Sequence, residues 1–387
     1  MPPVLYLIDG HGLAYRAYYA LTAGGTRTNA FTTSSGEPTA GVYGFTSILL
    51  RIFEQENPDY LAVVFDKGKT FRHEMYEDYK STRAKMPDDL RSQVERMREI
   101  VDAFNIPRLE MENYEADDVL GSVARWAAEE KGLGVKIITG DKDLLQLVTD
   151  QVVVNLAGFR LSDAKDYFPE DVKAKLGVLP EKVVDFKALC GDSSDNIPGV
   201  RGIGEKTATK LLEEYDTLDG IFENIDQISG RAKSALEGSK EVAYLSRKLS
   251  QIVTDLEVEL DLEQARIDRF NPKAVEDLFR ELEFRTLTEQ LNSLMSKMHP
   301  VMPQGQQMGL FPDGDTKFLD VESPATIETT LVNTLEGLNG LREILDKAEL
   351  IAIDTETTDA NVMKAKLVGI SLAVEPGHGF YIPVGHL

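Results

Sequence analysis

Short apolar runs rich in β-branched residues recur at residues 4–8, 60–65, 135–139 and 151–155, separated by stretches long enough for helices. Strands alternating with helices predict a mostly parallel sheet covered on both faces. Between the runs, Leu90, Val94, Met97, Val101 and Phe104 recur at steps of three and four, and Val119, Val123 and Trp126 repeat the pattern. That period marks one face of an α-helix, so both segments are expected to pack on the sheet.

From about residue 169 to 294 the β-branched runs thin out and helical patterns take over, as over 181–189, 205–215 and 274–294. Residues 297–316, rich in Pro, Gly and Gln without periodicity, have the composition of a linker, and a new strand begins at 350–353. The expected organisation is an α/β core over 1–168, a helical region over 169–296, the linker, and a further α/β piece over 317–387. No internal repeat points to a solenoid.

With 387 residues, 42% of them hydrophobic, the chain can bury a large core. No apolar run approaches the roughly 20 residues of a membrane helix, and no secretory signal precedes the first strand, so a cytoplasmic, membrane-free chain is expected, with a monomer as the default state. The single cysteine, Cys190, cannot form an internal disulfide and is assigned a packing role. A net charge of -23 argues against a phosphate-bearing partner unless the charge is unevenly placed.

It is unevenly placed. Asp9, Asp66 and the pair Asp141 and Asp143 each follow an expected strand, and strand carboxyl ends line one edge of a parallel sheet, the usual ligand crevice. Glu115, Asp117 and Asp118 open the Val119 helix, and Asp192 and Asp195 lie in Gly-Asp-Ser-Ser-Asp-Asn-Ile-Pro-Gly. A lone Asp after a strand is usually a cap or turn former. Capping does not account for Glu-x-Asp-Asp, Asp-x-Asp and Asp-x-x-Asp together. Crowded carboxylates raise one another's pKa values and require cations. Hard oxygen donors without a Cys or His cluster favour two Mg²⁺ or Mn²⁺ ions, about 4 Å apart in two-metal phosphodiesterase chemistry. An aspartyl-phosphate phosphatase would need a second Asp two residues after Asp9, where Gly10, His11 and Gly12 follow instead.

Residues 67–85 carry Lys67, Lys69, Arg72, Lys80, Arg83 and Lys85 interleaved with Phe71, Tyr76 and Tyr79, a pattern that can neutralise phosphates and stack on unpaired bases. Glu74, Glu77 and Asp78 are mixed in, as on a solvated helix, and only the place directly after Asp66 favours a functional reading. Gly199-Val-Arg-Gly-Ile-Gly-Glu-Lys-Thr-Ala fits neither a P-loop nor a dinucleotide fingerprint. It suits a helix-hairpin-helix in which Gly202, Gly204 and Lys206 let backbone N–H groups meet a phosphate.

Taken together, Leu-Ile-Asp-Gly-His-Gly, Ala-Val-Val-Phe-Asp, Tyr-Glu-Ala-Asp-Asp, Thr-Gly-Asp-Lys-Asp-Leu-Leu-Gln-Leu, Gly-Asp-Ser-Ser-Asp-Asn-Ile-Pro-Gly and Gly-Ile-Gly-Glu-Lys-Thr-Ala resemble, over about residues 1 to 290, the 5′ nuclease of bacterial DNA polymerase I, of the flap endonuclease family. The resemblance implies a PIN-like α/β fold and an enzyme that removes RNA primers and displaced 5′ strands. It also implies metal roles for Asp9, Asp66, Glu115, Asp117, Asp118, Asp141, Asp143, Asp192 and Asp195. A basic arch that handles the 5′ strand would map onto Arg72, Lys80 and Arg83, with Arg83 and Tyr79 binding DNA, Arg72 and Lys80 catalytic, and Lys80 stabilising charge developing on the scissile phosphate. A K⁺ ion held by backbone carbonyls near Val200 to Ile203 is implied too. DNA with 5′ flaps, nicks or RNA-primed ends is the implied partner.

Leu-Ile-Ala-Ile-Asp-Thr-Glu-Thr-Thr-Asp resembles the first motif of a ribonuclease H-like 3′–5′ exonuclease, with Asp354 and Glu356 on one face of a strand as two metal ligands. The further acidic motifs of such a site do not appear before Leu387, so an incomplete, truncated domain without 3′–5′ activity is expected. The alternative to the nuclease is a non-catalytic DNA-binding module on the same fold, which predicts gaps in the acidic set; none is visible.

Overall fold

The computed structural model describes residues 2–22, 31–156, 164–270, 272–298, 328–348, 350–357, 366–375 and 378–384. The chain divides into two units, Met1–Met298 and His299–Leu387. In the first, β1 (Val4–Asp9), α1 (Gly10–Thr22), α2 (Ala40–Arg51), β2 (Tyr60–Val64), β3 (Lys67–Thr70), α3 (Phe71–Met75), α4 (Asp88–Ala103), β4 (Arg108–Leu109), β5 (Glu112–Asn113), α5 (Ala116–Glu129), β6 (Gly134–Thr139), β7 (Val152–Leu156) and β8 (Lys165–Tyr167) follow one another. The main sheet has the order β4-β2-β1-β6-β7-β8, parallel except where β7 meets β8. The order reverses at β1, whose neighbours are β2 on one side and β6 on the other. A crevice outside the carboxyl ends opens at such a reversal.

Alternation along β1 sorts its side chains between two cores. Leu5 and Leu7 face one with Val119 and Val123 of α5. Tyr6 and Ile8 face the other with Phe45 and Leu49 of α2 and Leu90, Val94, Met97 and Val101 of α4. The later helices are α6 (Pro169–Leu176), α7 (Val183–Cys190), α8 (Glu205–Tyr215), α9 (Leu218–Glu223), α10 (Gly230–Leu236), α11 (Lys240–Ser250), α12 (Pro272–Glu281) and α13 (Arg285–Met298).

These helices do not form a core of their own. Phe186 and Leu212 join the cluster of Leu5, and Phe279, Leu287 and Leu291 join that of Ile8. A boundary near 168 is therefore a change of secondary structure inside one packed unit. The single helical stretch expected over 274–294 is two helices, broken at Glu283, whose φ is 60° and whose carboxylate accepts the Ser34 N–H.

The second unit has β9 (Glu328–Leu331), α14 (Leu335–Leu345), β10 (Ala352–Thr357), β11 (Leu367–Glu375) and β12 (His378–Pro383), in a sheet of order β10-β11-β12-β9 around Val332, Leu341, Leu372 and Phe380. Asp354 and Glu356 lie on β10, both exposed. The expected linker falls mostly on residues 299–316, outside the described residues.

Candidate metal centre

Three strands deliver acids to the carboxyl edge. Asp9 ends β1 and turns the chain into α1, its carboxylate accepting the Gly12 N–H and the Thr139 hydroxyl, both at 2.8 Å. A Cβ at position 12 would lie 2.1 Å from Asp9 Oδ2, so glycine is required there. Asp66, two residues beyond β2, accepts the Ala116 N–H at 2.9 Å and thereby meets the first turn of α5. Its own N–H donates to His11 Nδ1 at 3.1 Å. Burial holds His11 below the ordinary imidazole pKa, in accord with a neutral ring accepting there. Asp141, two residues beyond β6, accepts the Asp143 N–H at 2.9 Å. Glu115 caps α5 reciprocally with Asp118, which leaves Asp117 aimed at the same edge.

Asp9, Asp66, Glu115, Asp117 and Asp141 line a single cleft of about 990 Å³, together with Lys80 and Arg83. Burial, with the charges of Asp66 and Asp141, pushes the Asp9 carboxyl up to about 6. Burial and the charges of Asp141 and Asp9 push Asp117 well above the ordinary range. Among the described residues no donor is hydrogen-bonded to the Asp117 carboxylate, and Asp143 Oδ1 is buried without a partner. Hard oxygens under mutual repulsion, some of them unused, fit divalent cations. Among the described residues, however, no three Asp, Glu, His or Cys side chains close on one point as the chain stands. Side-chain cations partly fill that role. Lys80 Nζ lies 2.7 Å from Glu115 and 3.7 Å from Asp195, and these two charges outweigh burial to raise the ammonium pKa. Arg83 binds Asp195 and approaches Asp141 at 4.0 Å.

The remaining expected ligands are placed differently. Asp143 and Asp192 are bridged by Lys187, whose ammonium lies 2.6 Å from Asp192 and also contacts Asp143. Burial works to raise the Asp192 carboxyl, but Lys187 and Ser194 outweigh it and hold it well below the usual range. Asp143, more strongly desolvated and beside Asp141, is pushed up to about 6. Lys187 was not foreseen; its signal is a lysine inside the buried run Val-Val-Asp-Phe-Lys-Ala-Leu-Cys.

Asp118 and Arg72 are corrected most sharply. Asp118 is wholly buried, takes two Arg72 bonds at 2.6 and 2.7 Å, and accepts the N–H groups of Glu115 and Val253. Four bonds use its acceptor capacity, leaving none for an ion. Arg72, 2% exposed, also donates to the carbonyls of Leu249 and Gln251. It cannot lie on a free arch or reach a scissile phosphate. Tyr79 is buried with its hydroxyl 3.1 Å from Glu115, so it presents no stacking face.

In the hairpin between α7 and α8, Gly199 and Gly202 have φ of 62° and 96°, and Gly204 caps α8. A Cβ at 204 would meet nothing within 4 Å, so the backbone there is open to approach, and Lys206 is exposed beside it.

Residues 4–177 match the family described as 5′-3′ exonuclease, N-terminal resolvase-like domain, and residues 178–273 match 5′-3′ exonuclease, C-terminal SAM fold. DNA polymerase I of Chloroflexus aurantiacus is 42% identical over 402 residues, covering 99% of this chain and 42% of that protein. DNA polymerase I of Bacillus subtilis is 44% identical over 289 residues, covering 74% of this chain and 32% of that protein. The chain thus spans less than half the length of these relatives. A crystal structure of bacteriophage T5 D15 flap endonuclease, in a pseudo-enzyme-product complex with DNA and metal ions, superposes with a TM-score of 0.52 at 20% identity, covering 76% of this chain and 99% of that one. That likeness is one of fold.

Proposed function

The chain belongs to the 5′-3′ exonuclease family, and on that premise we propose that its cleft hydrolyses phosphodiesters near 5′ ends, flaps and nicks of DNA with the help of two divalent cations, Mg²⁺ or Mn²⁺. The observation that carries this reading is the convergence of Asp9, Asp66, Glu115, Asp117 and Asp141 on one cleft that also holds Lys80 and Arg83. Bound divalent cations supply Lewis acidity for water activation and for charge developing on the phosphate. The five carboxylates would hold them, and Thr139 and Gly12 fix the orientation of Asp9. Lys80 and Arg83, relieved of the carboxylates by the ions, would turn to the phosphate oxygens. Lys187 keeps Asp143 and Asp192 together at the border of the site. The reading extends to a cytoplasmic monomer acting on RNA-primed ends as well, with K⁺ at the backbone of residues 200–203.

The test is incubation of the chain with a flap duplex labelled at its 5′ end or at its 3′ end, with Mg²⁺ or with EDTA. Mg²⁺-dependent release of the 5′ label, abolished in Asp117→Asn combined with Asp141→Asn while duplex binding persists, is the expected result. Binding without cleavage by the unsubstituted chain would leave only a DNA-binding module.

A further inference from the structure

Beyond its acids and the Lys80 and Arg83 pair, the cleft is also lined by Lys142, Lys165, Tyr167 and Lys175. Tyr167 ends β8, and its ring centroid lies 5.1 Å from Lys165 Nζ and 5.3 Å from Lys175 Nζ, within cation–π range. Lys175 also donates to the Tyr167 hydroxyl at 3.3 Å. Most cations of the cleft are neutralised: Lys80 by Glu115, Arg83 by Asp195, and Lys165 by Asp171 at 2.7 Å. Lys142 and Lys175 have no carboxylate partner among the described residues, in a chain whose net charge is -23. Solvated surface lysines are the bland account of such a pair. Against it stands the position of Lys142. It also lines a second groove of about 280 Å³ with Lys187, Asp192, Gly204 and Glu205, and so joins the acidic centre to the open backbone that begins α8.

We propose that Lys142 and Lys175 form a phosphate-binding wall that holds the backbone of a DNA strand leaving the acidic centre, with Lys142 directing it toward Gly204. The ligand is taken from the nuclease reading above. Two ammonium groups without carboxylate partners can each displace one counterion from a strand, whereas a paired lysine must first give up its carboxylate. Lys142 stands between Asp141, which faces the cleft, and Asp143, which faces Lys187, so the residue beside the metal centre would also guide the strand.

The test measures binding of a fluorescent 5′-flap duplex across a salt series, by anisotropy with Mg²⁺, in the full chain carrying Asp117→Asn with Asp141→Asn to prevent turnover. In that parent, Lys142→Ala with Lys175→Ala is expected to raise Kd on the order of tenfold and to make the slope of log K against log salt shallower by about 2, one phosphate per lysine. Arginine at both positions should restore the slope. Lys173→Ala, an exposed lysine of α6 that does not line the cleft, should leave Kd and slope unchanged. A double alanine variant with the parent's Kd and slope overturns the wall while leaving flap cleavage by the unsubstituted chain intact. If that chain does not cleave but the slope still changes, the nuclease reading falls and the wall stands; if the parent binds no DNA, both fall.

Discussion

At the scale of single side chains, the Arg72 and Asp118 pair shows how a motif can be read correctly and one of its members misplaced. Successive residues of a helix are turned by about 100°, so Asp117 and Asp118 cannot face the same way. The sequence marks both as acids at the start of α5 and contains no local signal of which one points at the sheet edge. The structure turns Asp118 inward onto a guanidinium that reaches it from α3. Removing one partner strands a buried charge, so Arg72→Met alone is expected to cost about 3–5 kcal/mol. Pairing Arg72→Met with Asp118→Leu should recover much of the loss, because an apolar pair avoids the desolvation penalty. Thermal melts of the two single variants and the double variant check this, and additive losses would disprove the coupling. For the same reason Asp118→Asn should lower the melting temperature while shifting the Mg²⁺ half-saturation of cleavage less than Asp141→Asn does.

Elements hold the site through their junctions, above all the hairpin between α7 and α8. A Cβ at Gly199 would stand 2.3 Å from the Gly191 backbone nitrogen, at a φ of 62° that side chains disfavour. The same turn pairs Asp192 with Ile197 by two backbone hydrogen bonds at 2.8 and 2.9 Å. Gly199→Ala should therefore destabilise the chain by roughly 2–4 kcal/mol and displace Asp192 and Asp195, lowering flap cleavage by on the order of tenfold or more. Melting and cleavage rates equal to those of the unsubstituted chain would show that the close approach is dispensable. Elements differ in how far the chain reveals them. β1, β2, β6 and β7 lie within about a residue of their apolar runs, and α8 covers the expected 205–215, because each has one buried face or two strand faces of clear period. α2 was not foreseen: nine of its 12 residues are buried, so no polar face marks its turn. The break at Glu283 is closed by backbone bonds such as Phe284 N–H to the Phe279 carbonyl, and its carboxylate meets Ser34 about 250 positions away, a contact no local pattern can register. The acids were legible because strands end where they begin. Lys187 and Lys142 were not, since their meaning depends on which groups the fold brings beside them.

At the scale of the whole molecule, folding concentrates carboxylates at the reversal of the sheet, and stability must carry the repulsion that results. Asp9 and Asp143 are pushed up to about 6 from an ordinary value of 3.8. The folded metal-free chain therefore binds more protons than the unfolded chain between about pH 4 and 6, and stability falls as pH rises through that window. At one pKa unit per 1.36 kcal/mol, each carboxyl contributes on the order of 2–3 kcal/mol of this loss. Asp192 runs the other way, its contribution present above pH 3.8 and lost only in stronger acid. Divalent cations bind the deprotonated acids and cancel the repulsion, so they should stabilise little at pH 5 and strongly at pH 7.5. With about 2 °C per kcal/mol for a unit of this size, saturating Mg²⁺ is expected to raise the melting temperature by several degrees more at the higher pH. Asp117→Asn combined with Asp141→Asn should raise the metal-free melting temperature at pH 7.5 and erase most of the Mg²⁺ response, because the charges that penalise the empty fold are those that attract the ions. An equal Mg²⁺ shift at both pH values would place the ions elsewhere and remove the cleft from the account of catalysis.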